Sequence, residues 1–208
     1  SGLPLMLANK PYMRILGCYF VNGLANTFPI TLIFFYVKQV IERPDWTAFY
    51  LAGYFVAAIL GTPLWMWLAK RRGKHMAWRY ALILAIAAFA IVPFLGSGDH
   101  VVFLGVVLVA GLTLGADLAM PASMLADAVD QDTLESGEPR TGVYFAVWGM
   151  AAKAAAALVV GVALSLLDAV GFVPDMYNQD DALLVLALLF GACPVVFKLI
   201  ALSAVWKY

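Results

Sequence analysis

Six long apolar blocks alternate with short polar interruptions along the 208-residue chain, at roughly 14–37, 47–69, 77–95, 101–125, 142–167 and 182–205. The breaks are K-Q-V-I-E-R-P-D, K-R-R-G-K-H, G-S-G-D-H, the stretch from Asp127 to Thr141, and V-P-D-M-Y-N-Q-D-D. A bilayer core of ~30 Å takes about 20 residues of helix, so each block predicts one membrane-spanning helix. In hydrocarbon every backbone polar group must be satisfied within the protein, which leaves helices or a closed barrel. The blocks lack the strict apolar–polar alternation of barrel strands. The pattern therefore predicts an all-α, integral membrane six-helix bundle.

Composition agrees with the pattern and removes other classes. Hydrophobic side chains make up 64% of the chain and charged ones 12%, with a mean hydropathy of +0.90. A soluble domain carries about twice that charged fraction. Thirteen Lys and Arg balance thirteen Asp and Glu, so no basic footprint for nucleic acid exists. Cys18 and Cys193 lie far apart in apolar runs and His75 and His100 in separate loops, so no metal or disulfide framework is indicated. No P-loop or G-x-S-x-G elbow occurs. Ser1 is not an initiator and residues 1–10 lack a cleavable-signal pattern, so the chain is expected to begin inside a longer sequence or after a processed tag.

The basic residues are sorted by side. Lys10 and Arg14 precede the first span, and Lys70, Arg71, Arg72, Lys74 and Arg79 surround the second connection. Arg140 flanks the fifth span and Lys207 ends the chain, whereas only Lys38 and Arg43 fall opposite. The positive-inside rule then places both ends of this segment in the cytoplasm of a cell (inner) membrane, as a multi-pass protein.

Two charges fall deep within spans. Asp117 lies about 13 Å into the fourth helix and Lys153 about 16 Å into the fifth, counted from their cytoplasmic ends at ~1.5 Å per residue. Their depths allow an ion pair between neighbouring helices. Such a charge is either structural glue or part of a solute or ion pathway. Asn22 and Asn26 share a face of the first span, followed by Pro29, and Thr113 and Asp117 share a face of the fourth, followed by Pro121. Polar residues before a proline mark helices that bend and offer carbonyls to a ligand, although interhelical glue accounts for the asparagines equally well. Ala146, Gly149 and Met150 leave room beside Lys153. The third and sixth spans read as lipid-facing, with Lys198 snorkelling to the cytoplasmic surface, and Trp46, Trp78 and Trp206 read as interface anchors.

Asp127 and Asp130 at the end of the fourth span, and Arg140 at the start of the fifth, oppose the local helix dipoles. Pairing of Asp127 or Asp130 with Arg140, or with the K-R-R-G-K loop, would repair this; solvated, screened charges are the alternative. Asp130, Asp132 and Glu135 lack the spacing of a calcium loop.

Residues 115–153, G-A-D-L-A-M-P-A-S-M-L-A-D-A-V-D-Q-D-T-L-E-S-G-E-P-R-T-G-V-Y-F-A-V-W-G-M-A-A-K, carry a resemblance. Their A-D-x-V-D, G-x-x-R-x-G and Y-F-A-x-W elements and Lys153 resemble the helix 10 to helix 11 region of the glycoside–pentoside–hexuronide:cation symporters. These are the melibiose-carrier-like branch of the major facilitator superfamily. L-A-K-R-R-G-K resembles that superfamily's basic loop, with Lys70 where Asp is usual. The resemblance implies the C-terminal half of a twelve-helix fold, built as two inverted three-helix repeats. It implies cation-coupled symport of a sugar, glycoside or related polar solute by alternating access, with no covalent cofactor. The coupling sodium or proton site would lie in an N-terminal six-helix half, the partner of this one in the bilayer. Lys153, Asp117, Asn22, Asn26, Thr113 and Gly149 are the candidate substrate-binding residues. Asp127, Asp130, Arg140, Arg71 and Arg72 are the candidate cytoplasmic gate. A homodimeric six-helix carrier and a transport-inactive scaffold or sensor are the alternatives. A membrane enzyme using Asp117 lacks a second acid, nucleophile or metal at that depth.

Overall fold

The computed structural model describes Met6, residues 9–137 and residues 140–206, the side chain of Glu135 excepted; Ser1 and Lys207 lie outside this range. Helix α1 spans Lys10–Gln39 and starts where the Asn9 side chain accepts the Tyr12 N–H at 3.0 Å. A 3₁₀ turn, Pro44–Trp46, leads into α2, Thr47–Arg72. Helix α3, Lys74–Ile91, ends in a second 3₁₀ turn, Val92–Phe94. Helices α4, His100–Ser136, and α5, Thr141–Ala169, follow. The sixth span is composite: α6, Asp180–Ala187, a π-helical turn at Leu188–Ala192, and α7, Cys193–Trp206. Among the described residues six spans are long and apolar enough to cross a membrane, and no strand occurs.

The fourth span is longer than bilayer arithmetic gives. Counting apolar residues stops at 125, yet α4 continues to Ser136 because Ala128 and Val129 remain 4% and 3% exposed on its inner face. It stops at Gly137, whose φ of +71° is a left-handed cap available without strain to glycine.

Packing follows an exchange of partners. Helix α1 packs on α5 and α7, and α4 packs on α2 and α3, while α3 and α7 pack on each other. The first helix of each triplet thus lies against the second and third helices of the other, the arrangement expected of two interlocked three-helix repeats. The tightest seam joins α2 and α4. A Cβ added at Gly111 would collide with the Tyr54 carbonyl, and one at Gly115 would sit 2.8 Å from Thr62 Oγ1 and 2.9 Å from the Ala58 carbonyl. Glycine is what lets the two backbones approach here.

Two apolar cores stack along the bundle axis. One holds Tyr36, Phe103 and Phe190, with Tyr36 donating to the Val92 carbonyl at 2.8 Å and stacking on Phe190 at 4.4 Å. The other holds Tyr12, Trp78, Met120, Met124 and Tyr144. On α1 the break falls between Cys18 and Phe28, and on α4 between Val107 and Ala116. Buried polar side chains occupy that waist.

Candidate functional site

Asp117 stands at the centre of the waist, 6% exposed. Its Oδ1 accepts the indole N–H of Trp78 at 2.8 Å. Its Oδ2 accepts from Asn26 Nδ2 at 3.0 Å and from Lys198 Nζ at 3.1 Å. Lys198, 1% exposed, also donates to Asn22 Oδ1 at 2.9 Å. Four spans contribute: α1 the two asparagines, α3 the tryptophan, α4 the carboxylate and α7 the ammonium. A buried charge is tolerable only when paired and hydrogen-bonded, and both charges here are.

Four expectations change. The ion pair of Asp117 is with Lys198 and not with Lys153, whose side chain is exposed on α5. Lys198 does not snorkel. It shares a helix face with Pro194, Ala201 and Val205, all buried, while exposed Val196, Leu199 and Ile200 form the outer face; that stripe was the available signal. The π-helical turn and Pro194 immediately precede it, and Gly191 in the turn seats against Val92 and Pro93, where an added Cβ would lie 2.8 Å from each. Trp78 is fully buried and serves the carboxylate instead of anchoring at an interface. The third and sixth spans thus both reach the interior.

Above the waist lies a cavity of about 400 Å³, within the range of small-molecule pockets (roughly 300–1,000 Å³). Ile30 and Phe34 of α1 and Leu51 and Phe55 of α2 border it, and three of these are well exposed: Ile30 61%, Phe34 60% and Phe55 58%. Val106, Ala110 and Thr113 of α4 line its wall, Phe103 and Phe190 its far end, and Asn26, Asp117 and Lys198 its polar end. Along α4, Phe103 to Asp117 covers about 21 Å at ~1.5 Å per residue. The cavity is apolar over most of that length and charged at one extremity. Thr113 is buried and donates to the Ala110 carbonyl at 2.9 Å.

The motif-bearing segment of α5 does something else. Tyr144, fully buried, meets Tyr12 edge-on at 4.6 Å and its carbonyl accepts the Tyr12 hydroxyl at 3.1 Å. Trp148 stacks on Tyr19 at 3.8 Å. These aromatics zip α5 to α1. Gly149, half-buried, has open space where a Cβ would stand. Lys153 and Gly149 are outside the Asp117 cluster.

At the opposite end of α4 the charges pair. Lys74 binds Asp127 at 2.6 Å and donates to the Ser123 carbonyl at 3.3 Å. The loop, and not Arg140, therefore supplies the partner of Asp127. Arg140 faces Asp132 at 3.8 Å. Asp130 and Arg72 are exposed, and Arg71 lies over the Trp67 ring at 4.4 Å. Among the described residues no group of three or more His, Cys, Asp or Glu could hold a metal ion.

Sequence comparison places this helical bundle, with its charged waist, in a family. The model of the MFS/sugar transport protein family matches residues 1–208. The chain belongs to that family. It is a multi-pass membrane protein of the major facilitator superfamily, and its six all-helical spans are consistent with half of that fold. The chain is 27% identical over 207 residues to the sodium-dependent lysophosphatidylcholine symporter 1-A of Danio rerio, covering 98% of this chain and 38% of that protein. It is 25% identical to the human sodium-dependent lysophosphatidylcholine symporter 1, covering 97% and 37%. With a sphingosine-1-phosphate transporter of Xenopus tropicalis it shares 24% identity over 95% and 39%. The chain thus spans about two-fifths of the length of these curated relatives, which are transporters and not enzymes.

Proposed function

We propose that this chain forms the C-terminal half of a cation-coupled secondary transporter, and that its solute is a single-chain amphiphile held in the cavity between α1 and α2. The observation that carries this reading is the cavity itself, apolar over about 21 Å of helix and closed at one end by Asp117, Lys198 and Asn26. A sugar presents hydroxyls all round and would leave them unpaired against Ile30, Phe34, Val106 and Phe103, at a cost of roughly 1–3 kcal/mol each. An alkyl chain matches that wall, and its polar end matches the waist. The relatives named for lysophosphatidylcholine and sphingosine-1-phosphate support this class.

In this mechanism the half rocks against an N-terminal six-helix partner and exposes the midplane site to each side in turn. The α2–α4 glycine seam makes that half a rigid body. Lys153, exposed near mid-membrane on α5, faces the partner half and its cation-binding acids. Sodium is the favoured coupling ion, on the names of the relatives. Lys74–Asp127 and Arg140–Asp132, with Asp130, Arg71 and Arg72 nearby, form a cytoplasmic gate of a cell-membrane protein whose segment ends both lie inside.

Sugar or glycoside symport is the second reading, favoured by the family's description and the 115–153 segment. Uptake of labelled lysophosphatidylcholine and of melibiose into proteoliposomes holding the intact protein, under imposed sodium or proton gradients, separates the two. Sodium-driven lysolipid uptake abolished by Ala110→Trp, which fills the cavity, is the expected result. Melibiose uptake without lysolipid uptake would overturn the amphiphile reading. Uptake of neither solute would favour the scaffold or sensor alternative.

A further inference from the structure

The hydrogen-bond balance at the waist is uneven. Asp117 receives three donors, from Trp78, Asn26 and Lys198. Lys198 carries three protons and, among the described residues, spends them on two acceptors, Asn22 Oδ1 and Asp117 Oδ2. A buried ammonium is normally fully bonded, since each missing partner leaves desolvation uncompensated. The cavity borders Lys198, so the missing acceptor is one that the cavity delivers. Thr113 Oγ1, whose proton is committed to Ala110, and the Asn26 amide flank the same end. Among the described residues no second cation lines the cavity.

We propose that Lys198 is the specificity-determining residue of the cavity. It takes an anionic oxygen of the solute, phosphate or carboxylate, so that an amphiphile binds with its head at the waist and its chain toward Phe103 and Phe190. The proposal rests on the amphiphile reading above and adds orientation and head charge to it. The reverse orientation would set a methyl terminus against the ion pair and leave the head among aromatic rings. The Asp117 charge is balanced by Lys198 and turned toward the Trp78 and Asn26 donors, so it holds the ammonium charged and in place while the head meets the remaining N–H. Asn22 Oδ1 takes a second proton of the ammonium at 2.9 Å, which leaves the third for the cavity.

Calorimetric titration of the intact protein in nanodiscs tests this. The probes are lysophosphatidylcholine, oleate and an uncharged monoacylglycerol of equal chain length. The variant is the charge-neutral pair Asp117→Asn with Lys198→Gln, which avoids stranding a buried charge. One charge-assisted hydrogen bond corresponds to an affinity loss of about 10- to 100-fold for lysophosphatidylcholine, with monoacylglycerol affinity held within about threefold. A matching loss for oleate assigns the site to any anionic oxygen, and loss for the phosphodiester alone assigns it to phosphate. Equal changes for charged and uncharged probes would overturn the role of Lys198 while leaving the amphiphile reading intact. Failure of the unaltered protein to bind all three would overturn both.

Discussion

Removing one member of the Asp117–Lys198 pair should destabilise the protein far more than removing both. The charges lie 3.1 Å apart with side chains 5% and 1% exposed. At an effective dielectric of about 20 their attraction is about 5 kcal/mol. Taking each ion out of water costs several kcal/mol, so the pair as a whole contributes little relative to neutral side chains of similar shape. Lys198→Met strands a carboxylate that keeps only the Trp78 and Asn26 donors, and should cost about 3–5 kcal/mol. Asp117→Asn strands the ammonium with comparable effect. The double variant should return to within about 1–2 kcal/mol of the parent, giving a coupling energy of at least ~2 kcal/mol. Unfolding in mixed detergent micelles, followed by tryptophan fluorescence, measures all four corners of the cycle. If Lys198→Met unfolds at the parental midpoint, or the double variant loses the sum of the single losses, the two side chains do not form a buried, coupled pair.

Gly111→Val should push α2 from α4 through the Tyr54 carbonyl and cost about 1–3 kcal/mol in the same unfolding assay. Tyr36→Phe leaves the Val92 carbonyl without its 2.8 Å donor and should cost about 1–3 kcal/mol, whereas a change at exposed Phe94 should stay within ~0.5 kcal/mol. Lys74 and Asp127 side chains are 37% and 62% exposed, so Lys74→Asp or Asp127→Lys alone should move stability by less than about 1 kcal/mol. Each reversal should nevertheless slow uptake, and the exchanged pair should restore it. An exchanged pair as slow as the single reversals would remove this contact from the gate.

Much of this protein was legible as a string. Hydrocarbon allows no unsatisfied backbone, so span number and helical type follow from the length of the apolar blocks. Asn22, Asn26, Thr113 and Asp117 stood out because a polar side chain inside such a block is costly enough to require a partner. The two three-helix repeats were implied by the resemblance that residues 115–153 carry. What could not be read was which partner each polar group finds. Asp117 and Lys153 match in depth, but depth is one coordinate, and α5 turns Lys153 outward while α7 turns Lys198 in. That choice depends on azimuth, set by a π-helical turn and Pro194 upstream of Lys198 and by which helices exchange partners. Trp78 is a similar case: its place near a span end resembles an anchor until α3 is seen to pack behind α4. The chain alone determined that charges would be buried, because the energy of a span sums along one helix. Tertiary structure alone decided how they are neutralised, because that energy depends on distances between helices far apart in sequence.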